Sequence, residues 1–318
     1  MAAGKQAVWF DCDTGFDDLM ALVVLAGLDQ FEIAGVSTVV GNTSLENTTA
    51  NTLAVVEAFG IDVPVYRGRS LPLVGQPSTI ESLLGEGGMG TIGRRLPPAA
   101  RRRAEPEHAV QALIDFLRSA ERPALVVGTG PLTNVAEALA LAPDVVGKIG
   151  RLVVMGGSTG AGNHTAAAEF NVFADPEAWA AVLRAGAPLE MFGLNLTRQV
   201  LIGPDDEARI RAVGTDLAQA VADHLGAYLR IRDRHRAAPM PLHDPCTTVS
   251  LAHPEWFELA PARVDVELAG QLTRGATVCE FRVPRRAEPN ALVAVRAEGE
   301  RVVGHVVDRF VEALTLLG

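Results

Sequence analysis

Four carboxylates, Asp11, Asp13, Asp17 and Asp18, fall within eight residues of the segment Val8-Trp-Phe-Asp-Cys-Asp-Thr-Gly-Phe-Asp-Asp-Leu-Met-Ala-Leu22. Their flanks give that crowding its meaning. Ala7 to Phe10 is a short apolar run with the character of a buried strand, Gly15 permits a tight turn, and Asp18, Leu19, Leu22 and Leu25 follow helical spacing. The acids are therefore expected where a strand ends and a helix begins, the edge of an open α/β sheet at which ligands collect. Like charges this close in a partly buried site repel by on the order of several kcal/mol, so the cluster demands a positive partner. A divalent cation is the simplest one. Aspartates at a helix start also serve as caps and complement the helix dipole, but one or two suffice for that.

The rest of the chain supports such a sheet. Short β-branched runs at Ile33 to Val40, Val63 to Tyr66, Ala124 to Val127 and Arg151 to Met155 alternate with helical patterns at Leu45 to Phe59, Glu107 to Ala120 and Thr133 to Leu141. This predicts a single open α/β domain over 1–318, with a mainly parallel central sheet flanked by helices. The segment 71–103 is rich in Gly, Pro and Arg, follows neither period, and is expected to form an active-site loop or lid. Asp205 to Arg236 reads as helical again, and Phe257 to Val283 as short late strands.

Composition narrows the function. A net charge of −10 and a pI near 5.2 argue against nucleic acid or an anionic membrane surface as a partner. The one dense basic cluster, Arg94, Arg95 and Arg101 to Arg103, sits beside Pro97 and Pro98 and reads as a solvated loop. Cys12, Cys246 and Cys279 lack metal-finger spacing and cannot all pair, which favours a reducing compartment. No apolar run reaches membrane-spanning length, and Met1 to Gln6 runs into the first strand without a signal-type segment. A cytoplasmic location is the expectation.

Further polar groups recur at strand ends. Val39-Val40-Gly41-Asn42-Thr43, Gly128-Thr129-Gly130-Pro131-Leu132-Thr133-Asn134 and Met155-Gly156-Gly157 each follow a strand, and each glycine would let backbone approach a ligand. Ala161-Gly162-Asn163, Ala168-Glu169-Phe170-Asn171 and Leu242-His243-Asp244-Pro245-Cys246 stand apart from them. Glu169 and Asn171 flank Phe170, so an extended backbone would aim both the same way. Asp244 is the late carboxylate suited to completing a metal site; capping a helix that begins at Pro245 is its alternative role. With carboxylates and carbonyls as donors, no Cys pair and no two-His spacing, a hard cation is expected. Calcium tolerates irregular coordination better than magnesium, and zinc is disfavoured.

These strings, together with Gly85-Glu86-Gly87-Gly88-Met89-Gly90 and in this order, resemble the nucleoside hydrolase family, the inosine-uridine preferring N-ribohydrolases, over nearly the whole chain. The resemblance implies an open α/β fold, a bound calcium ion, and hydrolysis of the N-glycosidic bond of ribonucleosides to free base and ribose, with no organic cofactor. It also implies a homodimer or homotetramer. Carried over to this chain, Asp13 is the general base and a calcium ligand, and Asp18, the Thr129 carbonyl and Asp244 are the other protein ligands. Asp17, Asn42, Asn163, Glu169 and Asn171 would hold the ribose hydroxyls, Met155 would lie near the sugar, Asp11 would support the site, and His243 would stand beside the base.

The inventory suits the chemistry. Cleavage passes through an oxocarbenium-like sugar, so a carboxylate must activate water on one face while the base departs on the other. Two features depart from the family pattern. The lid run Ile80-Glu81-Ser82-Leu83-Leu84 has no histidine, and the helical stretch expected at Tyr228 to Arg236 carries arginines where several members place tyrosines. His243 is then the main candidate to assist the leaving base, with His235 or a lid-held water as alternatives. Two other readings compete: a noncatalytic ribose-binding protein that kept the calcium pocket, and an aspartate-nucleophile phosphohydrolase suggested by Phe10-Asp-Cys-Asp-Thr14. The second wants Thr or Val at position 15, which is Gly15 here, and a Lys ahead of a late acidic pair.

Overall fold

The apolar runs become one nine-stranded sheet in a computed structural model that describes residues 5–283 and 287–318. Met1 to Gly4, part of the expected start, lie outside the described residues. The strands are β1 (Gln6–Cys12), β2 (Phe31–Thr38), β3 (Val65–Arg67), β4 (Ala124–Gly128), β5 (Ile149–Met155) and β6 (Leu189–Phe192). A short ladder of β7 (Leu201–Ile202) and β8 (Met240–Pro241) stands apart, and β9 (Phe257–Val266), β10 (Thr277–Glu280) and β11 (Ala291–Ala297) complete the main sheet. The order is β10-β9-β11-β6-β5-β4-β1-β2-β3, parallel from β3 through β11, with β9 and β10 antiparallel at one edge.

Strand order reverses at β1, whose neighbours are β2 on one side and β4 on the other. In sheets of this kind a crevice opens at the carboxyl ends where the order reverses. Asp11 pairs with Gly128 there, so the acidic turn after β1 meets the Thr129 turn after β4. Burial on both faces explains why β1 is so apolar. Val8, Phe10 and Cys12 face one core layer, with helices Phe16–Ala26, Asp216–Tyr228 and Gly299–Leu316, while Trp9 points into the other, against helices Ala109–Ser119 and Thr133–Leu141.

Several expected elements stand within two residues of their observed bounds, and helix Thr133–Leu141 coincides with its prediction. One expectation is corrected. The helical reading of Asp205 to Arg236 resolves into helices Pro204–Arg211 and Asp216–Tyr228, and 229–236 is a series of turns. There the Asp233 carboxylate accepts from the His235 backbone N–H at 2.9 Å, its carbonyl accepts from Arg236, and Ala238 N–H closes back on Leu229. Such local bonds compete with helical ones and end the helix.

The 71–103 segment is largely irregular, as expected, with two short helical turns at Glu81–Leu84 and Glu86–Gly88. It is pinned at separated points. Leu73 N–H donates to Asp175 at 2.8 Å, and Glu81 accepts from Thr43 and from Gly87 N–H. Buried His224 bridges Gly90 O at 2.7 Å and Leu96 N–H at 3.2 Å, which places its ring proton on Nδ1. Glu57 accepts from the backbone N–H groups of Ala100, Arg101 and Arg102 at 3.0, 2.8 and 2.7 Å. Between the pins, Leu83 is 54% exposed.

The three donors on Glu57 push its carboxyl from 4.5 down to about 2. A depressed folded value means that the contact is fully present above the ordinary carboxylate range and is lost as pH falls through about 2. Amide exchange at 100–102, scaled to intrinsic rates, should therefore accelerate as pH drops below 4.5, whereas Glu57→Ala should show fast exchange there already at neutral pH. Unchanged protection in the variant would remove Glu57 as the pin.

Candidate active site

The site is built on the turn between β1 and helix Phe16–Ala26. Gly15 caps that helix, and its N–H donates to Asp18 Oδ2 at 2.8 Å. Thr14 is bound into the turn through Thr52 Oγ1 at 2.7 Å and Cys12 Sγ at 3.3 Å. Asp11, fully buried at the end of β1, accepts from Ser37 and from Asn134 Nδ2, yet its Oδ2 has no partner. Asp13 Oδ2 accepts from the Asn42 backbone N–H at 2.7 Å, and its Oδ1 is buried with no partner either. A Cβ at Gly41 would lie 2.1 Å from Asp13 Oδ2, and one at Gly130 2.9 Å from Oδ1. Those two strand-end glycines thus make room for the Asp13 carboxylate.

Asp17, Asp18 and Asp244 each present an oxygen within 4.8 Å of the others. This trio contains Asp17, expected at the ribose, in place of Asp13, expected as a ligand. Asp244 precedes Pro245 at the first position of helix Pro245–Ala252, but its side chain makes no capping bond, so its carboxylate remains available. The Thr129 hydroxyl donates to Asp18 Oδ1 at 2.7 Å, and the Thr129 carbonyl accepts from Asn171 Nδ2 at 2.7 Å.

Burial is the largest cause in raising each of these carboxyls, and the neighbouring aspartates add to it. Asp11 is pushed up to about 6 and Asp17 to about 7, while Asp13 and Asp244 go well above the ordinary range. No basic side chain forms an ion pair with any of them among the described residues. The donors are all hard oxygens, and buried carboxylate oxygens without partners are what a hard cation would satisfy.

A cavity of about 460 Å³ opens over these acids. Asp17, Asn42, Thr129 and Asp244 form its floor with Met155, Glu169 and Asn171, whereas Asp13 and Asp18 lie behind the wall. Asn163 and His243 also reach it. Glu169 and Asn171 are not brought together by extended backbone, as their alternation suggested. Glu169 caps helix Phe170–Ala174, accepting from the N–H groups of Asn171 and Val172 and from Gly157 N–H at 2.9 Å. Burial pushes its carboxyl up to about 7. Asn171, one residue into the helix, donates to the carbonyls of Thr129 and Met155 and so ties the ends of β4 and β5 together.

His243 Nδ1 lies 2.8 Å from Thr197 Oγ1. Burial, then the charges of Arg198 and Arg232, push the imidazole down to about 4. His235 is exposed and does not line the cavity; Ile231 and Arg232 do, as do Ile80, Leu83 and Leu84 of the 71–103 segment. Sequence reasoning missed Arg198 and His164. Arg198 donates to the carbonyls of Ala161 and Gly162 at 3.0 and 2.7 Å, and His164 rests on Phe170 and Phe173. Arg198 closes the short helix Leu194–Thr197 that follows β6, so it lies beyond the strand-end positions that drew attention to Asn42 and Thr129.

Residues 8–304 match the model of the inosine-uridine preferring nucleoside hydrolase family. The chain is 37% identical to the inosine-uridine preferring nucleoside hydrolase of Leishmania major over 95% of its length and 96% of that protein's. It is 35% identical to the pyrimidine-specific ribonucleoside hydrolase RihA of Escherichia coli, covering 95% and 97% of the two chains. The purine-preferring ribonucleoside hydrolase of Gardnerella vaginalis superposes with a TM-score of 0.90 at 29% identity, over 98% of this chain and all of that one. The phosphohydrolase alternative and the noncatalytic alternative fall away. The chain belongs to the inosine-uridine preferring nucleoside hydrolase family and is a ribonucleoside hydrolase, an enzyme that yields free base and ribose.

Proposed function

We propose that the reaction uses a resident calcium ion and that Asp13 activates the attacking water. The observation that carries this reading is the unpartnered, buried Oδ1 of Asp13 on the same turn as Asp17 and Asp18, with Asp244 brought against them. Asp13, Asp18, Asp244 and the Thr129 carbonyl would hold the ion, and the position of Asp17 makes it a further carboxylate at the same place. Bound calcium would lower the pKa of water at the site and grip the 2′ and 3′ ribose hydroxyls.

The remaining work belongs to the chain. Asp13 takes the proton as water oxygen bonds to C1′ and the C1′–N bond breaks through an oxocarbenium-like sugar. Asp17, Asn42, Asn163, Glu169 and Asn171 hold the sugar. The Asn171 amide nitrogen donates to two backbone carbonyls, leaving the side-chain oxygen to accept from a hydroxyl. Polar groups committed to hydroxyls are left unpaired by a deoxyribose, so ribose is favoured. His243, with its ring pushed down to about 4, offers the departing base an N–H hydrogen bond, not a stored proton; a cation near Asp244 would lower it further. The expected homodimer or homotetramer and cytoplasmic location stay with the family resemblance. No described helix is long and apolar enough to cross a membrane.

Asp13→Asn should cut base release from uridine and inosine by roughly 10² to 10⁴-fold while substrate still binds. A folded variant with near-normal turnover would take Asp13 out of the role of base.

Stability should report the ion. Without it, Asp11 at about 6 and Asp17 at about 7 hold protons more tightly than the value of 3.8 usual for an unfolded chain. The folded state then binds more protons, so the stability from these groups is fully present below 3.8 and is lost as pH rises through about 7. In chelator, Tm should fall between pH ~5 and pH ~8, and calcium should restore it most at the higher pH. A Tm indifferent to calcium at both would remove the resident ion.

His243→Ala should slow inosine and uridine far more than 4-nitrophenyl riboside, whose leaving group needs no assistance, with the calcium content of the variant measured alongside. Equal losses on both substrates would leave His243 only a positioning role.

A further inference from the structure

A neutral base is held by a mixture of donors and acceptors, and the lining of this cavity adds two guanidiniums, Arg198 and Arg232, to its neutral polar groups. The carboxylates and Asn171 occupy the floor, where the ribose is proposed to sit, which leaves to the base the rest of the lining, including residues of the 71–103 segment and of the connection after helix Asp216–Tyr228. The lid face contributes Ile80, Leu83 and Leu84, which offer no side-chain acceptor or donor. The Tyr228 hydroxyl is spent on the Pro241 carbonyl at 2.5 Å. Asn163, His164 and His243 add polar groups, and the two polar side chains left are cationic, Arg198 and Arg232. Arg198 spends two N–H groups on the carbonyls of Ala161 and Gly162, and neither it nor Arg232 forms an ion pair with a carboxylate among the described residues. The guanidinium of Arg232 makes no hydrogen bond within the described residues at all. Both line the cavity that His243 also lines.

That local sign runs against the chain, whose net charge is −10. Two other half-buried arginines, Arg151 and Arg274, are neutralised in place by Glu190 and Glu177. A guanidinium left open beside an apolar wall is matched by a planar anionic acceptor, which its fork can bind through two parallel bonds. Exocyclic amines would instead set donor against donor.

We infer that Arg232, with Arg198, makes this end of the cavity a subsite for ribonucleosides whose base is itself anionic at neutral pH, such as a carboxylated pyrimidine or an acidic dioxopurine. This rests on the ribose-binding reading of the floor. In the reaction, the electron pair of the C1′–N bond stays with the base nitrogen, water oxygen bonds to C1′, Asp13 receives the water proton, and the base is reprotonated by solvent after release. The guanidiniums stabilise the added negative charge on the departing ring.

The test compares kcat/KM for orotidine and xanthosine with that for uridine and inosine, in the wild-type chain and in Arg232→Gln, with Tm showing that the variant is folded. Arg232 is the cleaner probe because Arg198 also holds the 161–162 loop. The anionic-to-neutral ratio should fall roughly 10-fold or more in Arg232→Gln, mainly through KM, and Arg232→Lys should recover part of it. Added salt should lower the wild-type ratio. A ratio unchanged by the substitution would overturn the inference, as would a wild-type enzyme that cleaves uridine or inosine but neither anionic riboside. Cleavage of all four substrates with no preference for ribose over deoxyribose would instead count against the ribose-binding reading of the floor.

Discussion

Everything around the site follows from placing carboxylates inside the protein with no basic side chain among the described residues to neutralise them. Burying an ionised acid is costly unless it is paired or well hydrogen-bonded, and the chain meets only part of that need. Asp11 draws on Ser37 and Asn134, Asp13 on the Asn42 backbone, and Asp18 on Gly15, Thr129 and Asn42. Asn134 in turn receives the Arg69 backbone N–H, which couples the acid turn to the start of the lid segment. After all these bonds, Asp11 Oδ2 and Asp13 Oδ1 are still unmatched. A hydrogen-bonded network that falls short in this way is a destabilising arrangement for a structural core and a sensible one for a cation site.

The sheet decides where that cost is met. Because strand order reverses at β1, the turns after β1, β2 and β4 converge, and their glycines are shaped around one carboxylate. Gly41 and Gly130 come from different strands, yet a methyl group on either would strike Asp13. Their position at strand ends was visible in the sequence, but the reason for them was not, since it depends on which turns the strand order brings together.

Much of the fold was legible because β1, β4 and β5 are buried on both faces and so read as unbroken apolar runs between amphipathic helices. The acid turn was legible because four like charges crowded at a strand end repel one another too strongly to persist without a cation. Legibility failed where side chains override local pattern. Ala168-Glu-Phe-Asn171 looked extended, yet Glu169 acts as a helix cap, a role that glutamate seldom takes and that propensity does not suggest. Arg230 to Arg236 has the composition of a helix, but Asp233 satisfies its own neighbours and turns the chain. Arg198 escaped notice because β6 spans only Leu189–Phe192, too short a run to stand out from its surroundings.

All three failures involve residues that line the cavity, and the lid run and the stretch after Tyr228 are where this chain departs most from its family pattern. The fixed part of the site, the acids and amides at the strand ends, is held by backbone from several strands and tolerates little change. The lid is different. Its feet are fastened by Asp175, His224 and Glu57, and its helical turn is tied at the start through Glu81 to Thr43 and through Ile80 N–H to the Asn42 carbonyl, whereas the apolar side chains of Leu83 and Leu84 make no hydrogen bond. The loss of a lid histidine and the turn that presents Arg232 therefore alter the same compartment. One removes a polar group that could meet a neutral base, and the other adds charge without a partner. On the proposed reading, ribose chemistry rests on the strand ends of the sheet, and base selection on the two segments that line the cavity above them.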